Sequence, residues 1–261
     1  MAYKILDVSK YQPVIDYAAC AKDIDGVILR CGLTYWGAQS MEADPSFEMH
    51  YKGFKAKGVP VGAYYYSAAD SVKTAQKEAA FCLSLLKGKQ FELPIYYDVE
   101  NTQRQGTLGK AAITAITDTF CSTLEKAGYF AGYYSYTAWL LKKFDTAYLS
   151  KYTLWKADYR TKYDTTIPCA MHQYTSSGTV AGIDGKVDLS TCTKNFPPLI
   201  KGLGLNGYSA YVQPSPPNSV PAAPLYNLTV GPVSTGDCAA LKALAQRLQV
   251  PAQVALCQSG A

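Results

Sequence analysis

The sequence predicts an α/β fold: an irregular (β/α), TIM-like barrel that lacks its late helices, followed by a small C-terminal α+β module. Short apolar runs alternate with segments of helical period, which is typical of βα units in a parallel sheet. Eight such runs are present, and eight strands close a barrel. The chain of 261 residues, of which 48% are hydrophobic, is large enough to bury the core of such a barrel.

The predicted strands share β-forming, apolar sequences and are followed by turn or helix signals. They are residues 4–8, 26–32, 60–67, 94–100, 129–136, 153–158, 170–175 and 186–189.

Three helices are predicted between the early strands from their apolar periodicity and their end signals. Segment 45–57 begins with Pro45 after a cap at Asp44, and segment 71–87 follows a cap at Asp70 or Ser71. Segment 109–127 stops at Gly128. The sixth, seventh and eighth strands are separated by only about ten residues each, too few for a standard crossover helix. We therefore expect the last helices to be missing and the late strands to pair antiparallel.

The composition changes after residue 200. We expect a barrel over 1–200, a proline-rich linker over 201–224 and a small module over 225–261. A module this short cannot bury a full core alone. It must dock on the barrel, pair with a second copy or use a Cys238–Cys257 bridge. We favour self-association, so the module is predicted to form a homodimer.

Composition also narrows the classes of partner. The net charge of +5 is spread along the chain without a basic run, which argues against nucleic-acid binding. None of the eight cysteines forms a CxxC pair, so zinc and redox motifs are unsupported and no cofactor is predicted. No apolar stretch reaches the length of a membrane span. The first residues lack the apolar core of a signal peptide, so we expect synthesis in the cytoplasm with reduced thiols.

The strongest chemical signal is Asp98-Val99-Glu100 at the end of the fourth strand. Residues two apart in a strand share a face and lie about 6.5–7 Å apart along the chain. Two carboxylates so placed in a partly apolar cleft cannot both ionise freely, so one is pushed toward its proton-donating form. Such a pair is the minimum equipment for cleaving a glycosidic bond. An isolated Asp-x-Glu is nevertheless common, and it most often marks two solvated acids.

Other polar and aromatic residues fall at the carboxyl ends of the predicted strands, where barrel enzymes carry their sites. The candidates are Asp7, Tyr64, Tyr134, Trp155, Gln173 and Asp188. With Asp98 and Glu100 they place four carboxylates on one rim, which a purely structural role does not predict.

Several stretches, in order along about 190 residues, resemble glycoside hydrolase family 25, the muramidases of the Chalaropsis lysozyme type. They are Leu6-Asp7-Val8-Ser9 with Tyr11-Gln12, Gly62-Ala63-Tyr64-Tyr65-Tyr66, Pro94 to Glu100, Gly132-Tyr133-Tyr134-Ser135, Leu154 to Tyr159, Gln173-Tyr174 and Ile183 to Asp188. The resemblance implies an irregular barrel with a truncated set of outer helices.

The resemblance also implies roles. Glu100 resembles the general acid, and Asp98 resembles the residue that assists the substrate's acetamido group or stabilises the positive centre. Substrate binding is implied for Asp7, Asp188, Tyr64, Tyr134, Trp155 and Gln173. Two departures, His172 in place of a common Trp and Tyr65 in place of a common His, put substrate preference in doubt more than the reaction.

The resulting hypothesis is a peptidoglycan hydrolase that cleaves the β-1,4 bond between N-acetylmuramic acid and N-acetylglucosamine without a metal or organic cofactor. The expected setting is a phage or prophage endolysin that acts on the wall after release; an autolysin exported by another route is the alternative. The module over 225–261 would then bind the wall or form a dimer. A noncatalytic wall-binding protein and an N-acetylglucosaminidase are the rival functions.

Overall fold

A computed structural model describes residues 2–35, 37 and 40–209, and its strands form one sheet. The strands are β1 (Tyr3–Val8), β2 (Gly26–Thr34), β3 (Met41–Ala43), β4 (Val61–Tyr66), β5 (Ile95–Asp98), β6 (Ala131–Tyr136), β7 (Thr153–Ala157), β8 (Met171–Gly178) and β9 (Val187–Cys192). The α-helices are α1 (Tyr17–Cys20), α2 (Phe47–Ala56), α3 (Val72–Leu86), α4 (Thr102–Gln105), α5 (Lys110–Lys126), α6 (Thr137–Lys143) and α7 (Phe196–Leu203), and a 3-10 helix spans Tyr148–Lys151.

Eight of these strands close a barrel in the order β1-β2-β4-β5-β6-β7-β8-β9, with β9 returning to β1, and the short β3 extends β2 outside it. The pairings from β1 to β8 are parallel, whereas β9 runs antiparallel to both β8 and β1. The predicted irregular α/β barrel is confirmed, as is the antiparallel pairing of its last strands.

The described connections β7–β8 and β8–β9 contain no helix. The first of them is held from inside the protein by Lys156, whose side chain is buried. Its ammonium donates to the carbonyl oxygens of Asp164 at 2.6 Å and Ile167 at 2.8 Å. These bonds satisfy loop carbonyls that a crossover helix would otherwise have paired internally.

The predicted ends of α3 and α5 agree with the structure to within one residue, whereas α2 starts later than predicted. The Ser71 hydroxyl accepts from the Thr74 amide at 3.2 Å, and Gly128 follows α5 with a φ of 84°. Helix α2 begins at Phe47, two residues later than predicted. The carboxylate of Asp44 forms the turn before the helix and an ion pair with Arg30, so it does not cap the helix.

Alternation along the strands divides the core into two layers. Outward-facing side chains such as Tyr97 pack under the helices, where its ring stacks on Phe120 at 3.8 Å. Inward-facing side chains fill the barrel around Trp155, whose ring contacts Tyr96 and Tyr134 at centroid distances of 5.3 and 4.6 Å. The carboxyl ends of the strands lie above this aromatic layer.

The start of the predicted linker packs on the barrel. Helix α7 runs past residue 200 to Leu203 and is followed by Gly204, whose φ of 67° suits glycine. Asn206 is buried against the amino ends of β5 and β6, where its side chain bonds Leu93 and Phe130. The domain boundaries stay a prediction, because the rest of the linker and the module over 225–261 lie outside the described residues. None of the helices in the described part is long and apolar enough to span a membrane.

Candidate active site

A cleft of about 460 Å³ opens at the carboxyl ends of the barrel strands. We call it the carboxylate cleft. Its lining includes all four carboxylates that the sequence singles out, together with Tyr64. The full lining is Asp7, Val8, Ser9, Tyr11, Gln12, Arg30, Leu33, Thr34, Tyr35, Tyr64, Tyr66, Asp98, Glu100 and Asp188.

Strand register brings the acids together. Asp7 on β1 lies directly opposite Asp188 on the antiparallel β9. Asp98 is the last residue of β5 and lies beside Tyr134 on β6. Glu100 follows two residues later, so it shares the inward face of Asp98 but stands nearer the opening. Asp7 and Asp98 are buried, whereas Glu100 and Asp188 are half-buried.

Burial and crowding raise the pKa values of these carboxyls, so they cannot all be ionised at the same time. Burial, reinforced by the charge of Asp188, raises the pKa of Glu100 to about 7. Burial also raises the pKa of Asp98 well above its ordinary value, with Glu100 and Asp7 adding to the rise and Arg30 opposing it. The pKa values of Asp7 and Asp188 are raised by burial too. One oxygen of Asp98 accepts no hydrogen bond from the described residues. The cluster therefore contains a proton donor at neutral pH.

Arg30 belongs to the site but was not among the residues predicted from the sequence. It lines the carboxylate cleft, and its Nε donates to Asp44 at 2.7 Å. Its guanidinium lies 5.3 Å from the ring centre of the exposed Tyr11. A charged residue inside the apolar run of β2 is a signal that could have identified it, because a buried charge requires a partner.

Trp155 and Gln173 lie beneath the cleft and do not line it. Trp155 is only 2% exposed, and its indole N–H donates to Ser190 at 3.0 Å. The Gln173 amide donates to Asp7 at 3.0 Å and accepts from the Tyr134 hydroxyl at 2.9 Å. These two residues therefore form the floor that carries Asp7 and Tyr134.

A second cleft of about 550 Å³ lies on the other side of Glu100, against helix α6, and we call it the α6 cleft. It shares Glu100 with the carboxylate cleft, so this side chain stands where the two meet. Tyr134 lines the α6 cleft only. The full lining is Glu100, Tyr134, Tyr136, Thr137, Ala138, Leu141, Lys142, Ala157, Asp158, Tyr159 and Arg160.

Behind the carboxylate cleft, a buried polar network joins α3 to β5. Tyr97 precedes Asp98, so its side chain points out of the barrel. Its hydroxyl donates to Glu78 Oε2 at 2.5 Å and accepts from the Ser67 hydroxyl at 2.9 Å. The other oxygen of Glu78 accepts from the Ala68 amide at 3.1 Å. The network thus fixes the strand that ends in Asp98.

Gln105 extends this network to the loop that carries Glu100. Its amide nitrogen donates to the Ser67 hydroxyl at 3.0 Å and to the Ala69 carbonyl at 3.1 Å. Its amide oxygen accepts from the Asn101 backbone N–H at 3.0 Å. The residue after Glu100 is therefore tied to the loop after β4. Sequence reasoning missed Glu78 and Gln105, because each is a single polar residue in a helix.

His172, one of the departures noted in the sequence, lines neither cleft. Its ring stacks on Tyr163 at 4.3 Å, and its Nε2 lies 2.8 Å from the Asp158 carbonyl. The effect of this residue on sugar preference stays a prediction.

The site thus combines a half-buried carboxyl that titrates near neutrality, a deeper carboxylate beside it and a cleft on each side. This arrangement can protonate a leaving oxygen on a substrate that extends through both clefts, while the deeper carboxylate stabilises positive charge.

Three solved structures are similar to this chain. The modular autolysin LytC from Streptococcus pneumoniae is 28% identical with a TM-score of 0.63; the match covers 73% of this chain and 46% of LytC, less than half its length. The CTP1L endolysin is 26% identical with a TM-score of 0.66, over 77% of this chain and 70% of that one. The catalytic domain of endolysin ply40 from bacteriophage P40 of Listeria monocytogenes shares the fold at 24% identity and a TM-score of 0.63, over 77% and 98% of the two chains.

Comparison with curated proteins found no match. The family model for glycosyl hydrolases family 25 matches residues 6–183, which contain the barrel from β1 to the β8–β9 connection and three of the four carboxylates of the cleft. Sequence, fold and site therefore agree, and the chain belongs to glycosyl hydrolase family 25.

Proposed function

We propose that this protein is a peptidoglycan hydrolase that cleaves the β-1,4 bond between N-acetylmuramic acid and N-acetylglucosamine. The observation that carries the proposal is the Glu100 carboxyl, with its pKa raised to about 7, at the junction of two clefts. Family membership and the autolysin and endolysin relatives support it. LytC has also been solved in complex with a synthetic peptidoglycan ligand.

In this proposal Glu100 is the general acid. It gives its proton to the glycosidic oxygen as the bond to the anomeric carbon breaks, so the leaving sugar departs as a neutral alcohol. A carboxyl with an ordinary pKa would be ionised at neutral pH and could not donate. Burial and Asp188 keep Glu100 protonated, so activity should fall as pH rises through about 7.

Asp98 has a different role. The acetamido oxygen of the muramic residue attacks the anomeric carbon, and Asp98 accepts a hydrogen bond from the acetamido N–H or stabilises the positive centre. Glycosidases that use the substrate in this way lie outside the scheme with two catalytic carboxylates. The buried position of Asp98 and its free oxygen support this role. Water then opens the cyclic intermediate, and Glu100, now ionised, takes the proton from that water.

The remaining candidate residues differ in their position relative to the clefts. We propose that Asp7, Asp188, Tyr64 and Tyr134, which line the clefts, contact the sugars. Trp155 and Gln173 lie beneath them, so we propose that they position Tyr134 and Asp7 rather than touch substrate.

The test uses purified peptidoglycan and mass spectrometry of the products. Wild type should release fragments with reducing N-acetylmuramic acid ends; reducing N-acetylglucosamine ends would instead identify a glucosaminidase. Glu100→Gln should lower kcat/KM by about a hundred- to ten-thousand-fold, the usual contribution of a general acid. Glu48→Gln, on the exposed side of α2, is the matched control and should keep full activity.

Two outcomes would overturn the assignment. Equal clearing of walls by wild type and Glu100→Gln would remove Glu100 from the mechanism. Binding to walls without any release of fragments would favour the noncatalytic wall-binding alternative.

The biological setting is also a proposal. We propose that the protein acts on the cell wall as an endolysin after release from the cell where it is made, as the names of the CTP1L and ply40 relatives suggest. The roles predicted for the C-terminal module, wall binding or formation of a homodimer, concern residues outside the described part of the chain.

A further inference from the structure

The two clefts that meet at Glu100 differ in charge. The carboxylate cleft is lined by four acidic side chains and one cation, Arg30, which is already paired with Asp44. Apart from Glu100, the α6 cleft is lined by two cations, Lys142 and Arg160, and by the carboxylate of Asp158, which pairs with Arg160 and leaves an excess of one positive charge. A substrate that spans both clefts therefore meets a negative field on one side of Glu100 and a positive one on the other.

We propose that the α6 cleft binds the carboxylate-bearing substituent of a muramic acid residue near the scissile bond, through Lys142 and Arg160. This inference rests on the proposed function. Muramic acid alternates with N-acetylglucosamine along the strand, so a substituted sugar lies within two sugars of Glu100. The substituent is a lactyl ether extended by a peptide, and its carboxylates match the charge of the cleft.

Arg160 is held in place for this task. Its guanidinium donates two parallel hydrogen bonds to Asp158, from Nε at 2.8 Å and from a terminal nitrogen at 2.6 Å. Asp158 is itself fixed by the Thr137 hydroxyl at 2.8 Å and the Asp164 amide at 3.0 Å. The Arg160 side chain is nevertheless 61% exposed, so its outer edge can receive an anion without rearrangement.

The ammonium of Lys142 is available to bind an anion, whereas that of the neighbouring Lys143 is already bonded. Lys143 donates to the backbone carbonyls of Gly106 and Leu108 at 2.6 and 2.8 Å, so its role is structural. Lys142 is exposed and forms no hydrogen bond or ion pair with the described residues. Beside it, Leu141 is half exposed and offers an apolar surface for the methyl groups of the substituent.

The test compares three glycan strands of equal length. One carries stem peptides, the second carries the same peptides with their carboxylates converted to amides, and the third has free lactyl carboxylates without peptide. The variants are Lys142→Glu and, as a second probe, Arg160→Gln, which removes the charge but leaves a polar amide. Lys52→Glu on α2 is exposed, lines neither cleft and controls for the change in net charge.

Wild type should prefer the peptide strand to its amidated form in kcat/KM, and Lys142→Glu should reduce that preference roughly two- to fivefold, as expected for exposed charge pairs. Lys52→Glu should retain it. Because the peptide is joined to the lactyl group by an amide bond, only the third strand has a free lactyl carboxylate. A loss on the peptide strand alone would assign the contact to a peptide carboxylate, and an equal loss on the third strand would show that the cleft binds a carboxylate at either position. An undiminished preference in both cleft variants would overturn the inference while leaving the hydrolase intact. Failure of wild type to cleave any strand would overturn the proposed function and this inference with it.

Discussion

Buried carboxyl groups at the two ends of the barrel have pKa values shifted in opposite directions. At the carboxyl ends of the strands, the pKa of Glu100 is raised to about 7 by burial and Asp188, and Asp98 keeps an oxygen without a hydrogen bond. At the amino ends, burial would also raise the pKa of Glu92, but its bonds to Lys55, Tyr208 and the Val61 amide lower it overall. Hydrogen bonds and ion pairs therefore offset the cost of burying a glutamate at the amino end, but not at the carboxyl end.

This difference supports the proposal that the carboxyl end of the barrel is the functional one. An uncompensated buried carboxylate destabilises the fold, and such a cost persists where chemistry requires it. A compensated one stabilises the fold. Mutations at the two ends should therefore separate activity from stability.

The largest expected effect is that of Asp98→Asn on catalysis. We expect kcat to fall by about a hundred- to ten-thousand-fold, because the amide can neither accept the acetamido N–H as strongly nor stabilise positive charge. Stability at neutral pH should increase, since a buried ionisable group is removed. Kinetics on defined glycan strands and thermal unfolding measure both. Loss of activity together with loss of stability would place Asp98 among the structural residues instead.

At the opposite end, the Asn206→Ala variant should have a lower free energy of unfolding than wild type and an unchanged kcat. The Asn206 side chain accepts from the Phe130 amide at 2.7 Å and donates to the Leu93 carbonyl at 2.9 Å. Its φ of 55° also disfavours alanine. Two orphaned buried groups and this strain cost about 3–5 kcal/mol in the free energy of unfolding. Asn195→Ala, whose side chain is exposed and caps nothing, is the control and should change stability little.

The third prediction concerns the pH dependence of stability, which should have opposite signs at the two ends of the barrel. The folded-state pKa of Glu100 is raised, so ionisation destabilises the fold as pH rises from the unfolded value near 4.5 through about 7. Glu100→Gln should therefore gain about 1–3 kcal/mol over wild type above pH 7, and the gain should vanish near pH 4. Thermal melts across this range measure the gain. A gain that does not depend on pH would show that packing, and not charge, is responsible.

Glu92→Gln should behave in the opposite way. Its pKa is lowered in the folded state, so its stabilising contribution is present above pH 4.5 and is lost as pH falls through the folded value. The variant should thus be about 1–2 kcal/mol less stable than wild type at pH 7 and nearly equal to it in acid. Because the two glutamates are compared in the same melts, equal pH dependences would remove the contrast between the two ends.

Much of the carboxyl end was predictable from the sequence. A strand has a period of two residues, so Asp98 and Glu100 had to share a face, and parallel strands had to bring Asp7 to the same rim. The depth of Trp155 and Gln173 was not predictable. Trp155 is the middle residue of β7 and Gln173 is the third of the eight residues of β8, so both lie below the strand ends. The height of each residue in the barrel depends on register, which is set by pairing with strands distant in the chain.

The residues that support the site were harder to find. Glu78 lies in the middle of α3 and looks like an ordinary surface residue until packing buries it against Tyr97. Helix α7 crosses the predicted boundary between barrel and linker at residue 200, and its prolines, Pro197 and Pro198, lie in its first turn, where proline is tolerated. Local patterns therefore identified the chemical groups but not the contacts that hold them.

The smallest expected effect comes from removing one hydroxyl of that support. Tyr97→Phe keeps the ring that stacks on Phe120 but deletes the bond to Glu78. We expect a loss of about 1–2 kcal/mol in the free energy of unfolding and a severalfold lower kcat with little change in KM, because Asp98 is held less rigidly while the sugar-binding surface is intact. Tyr133→Phe is the matched control: its ring is equally buried on the outward face, but its hydroxyl has no hydrogen bond to the described residues. If both variants lowered kcat alike, the Glu78 network would have no specific part in positioning Asp98, and the support of the catalytic end would have to come from packing alone.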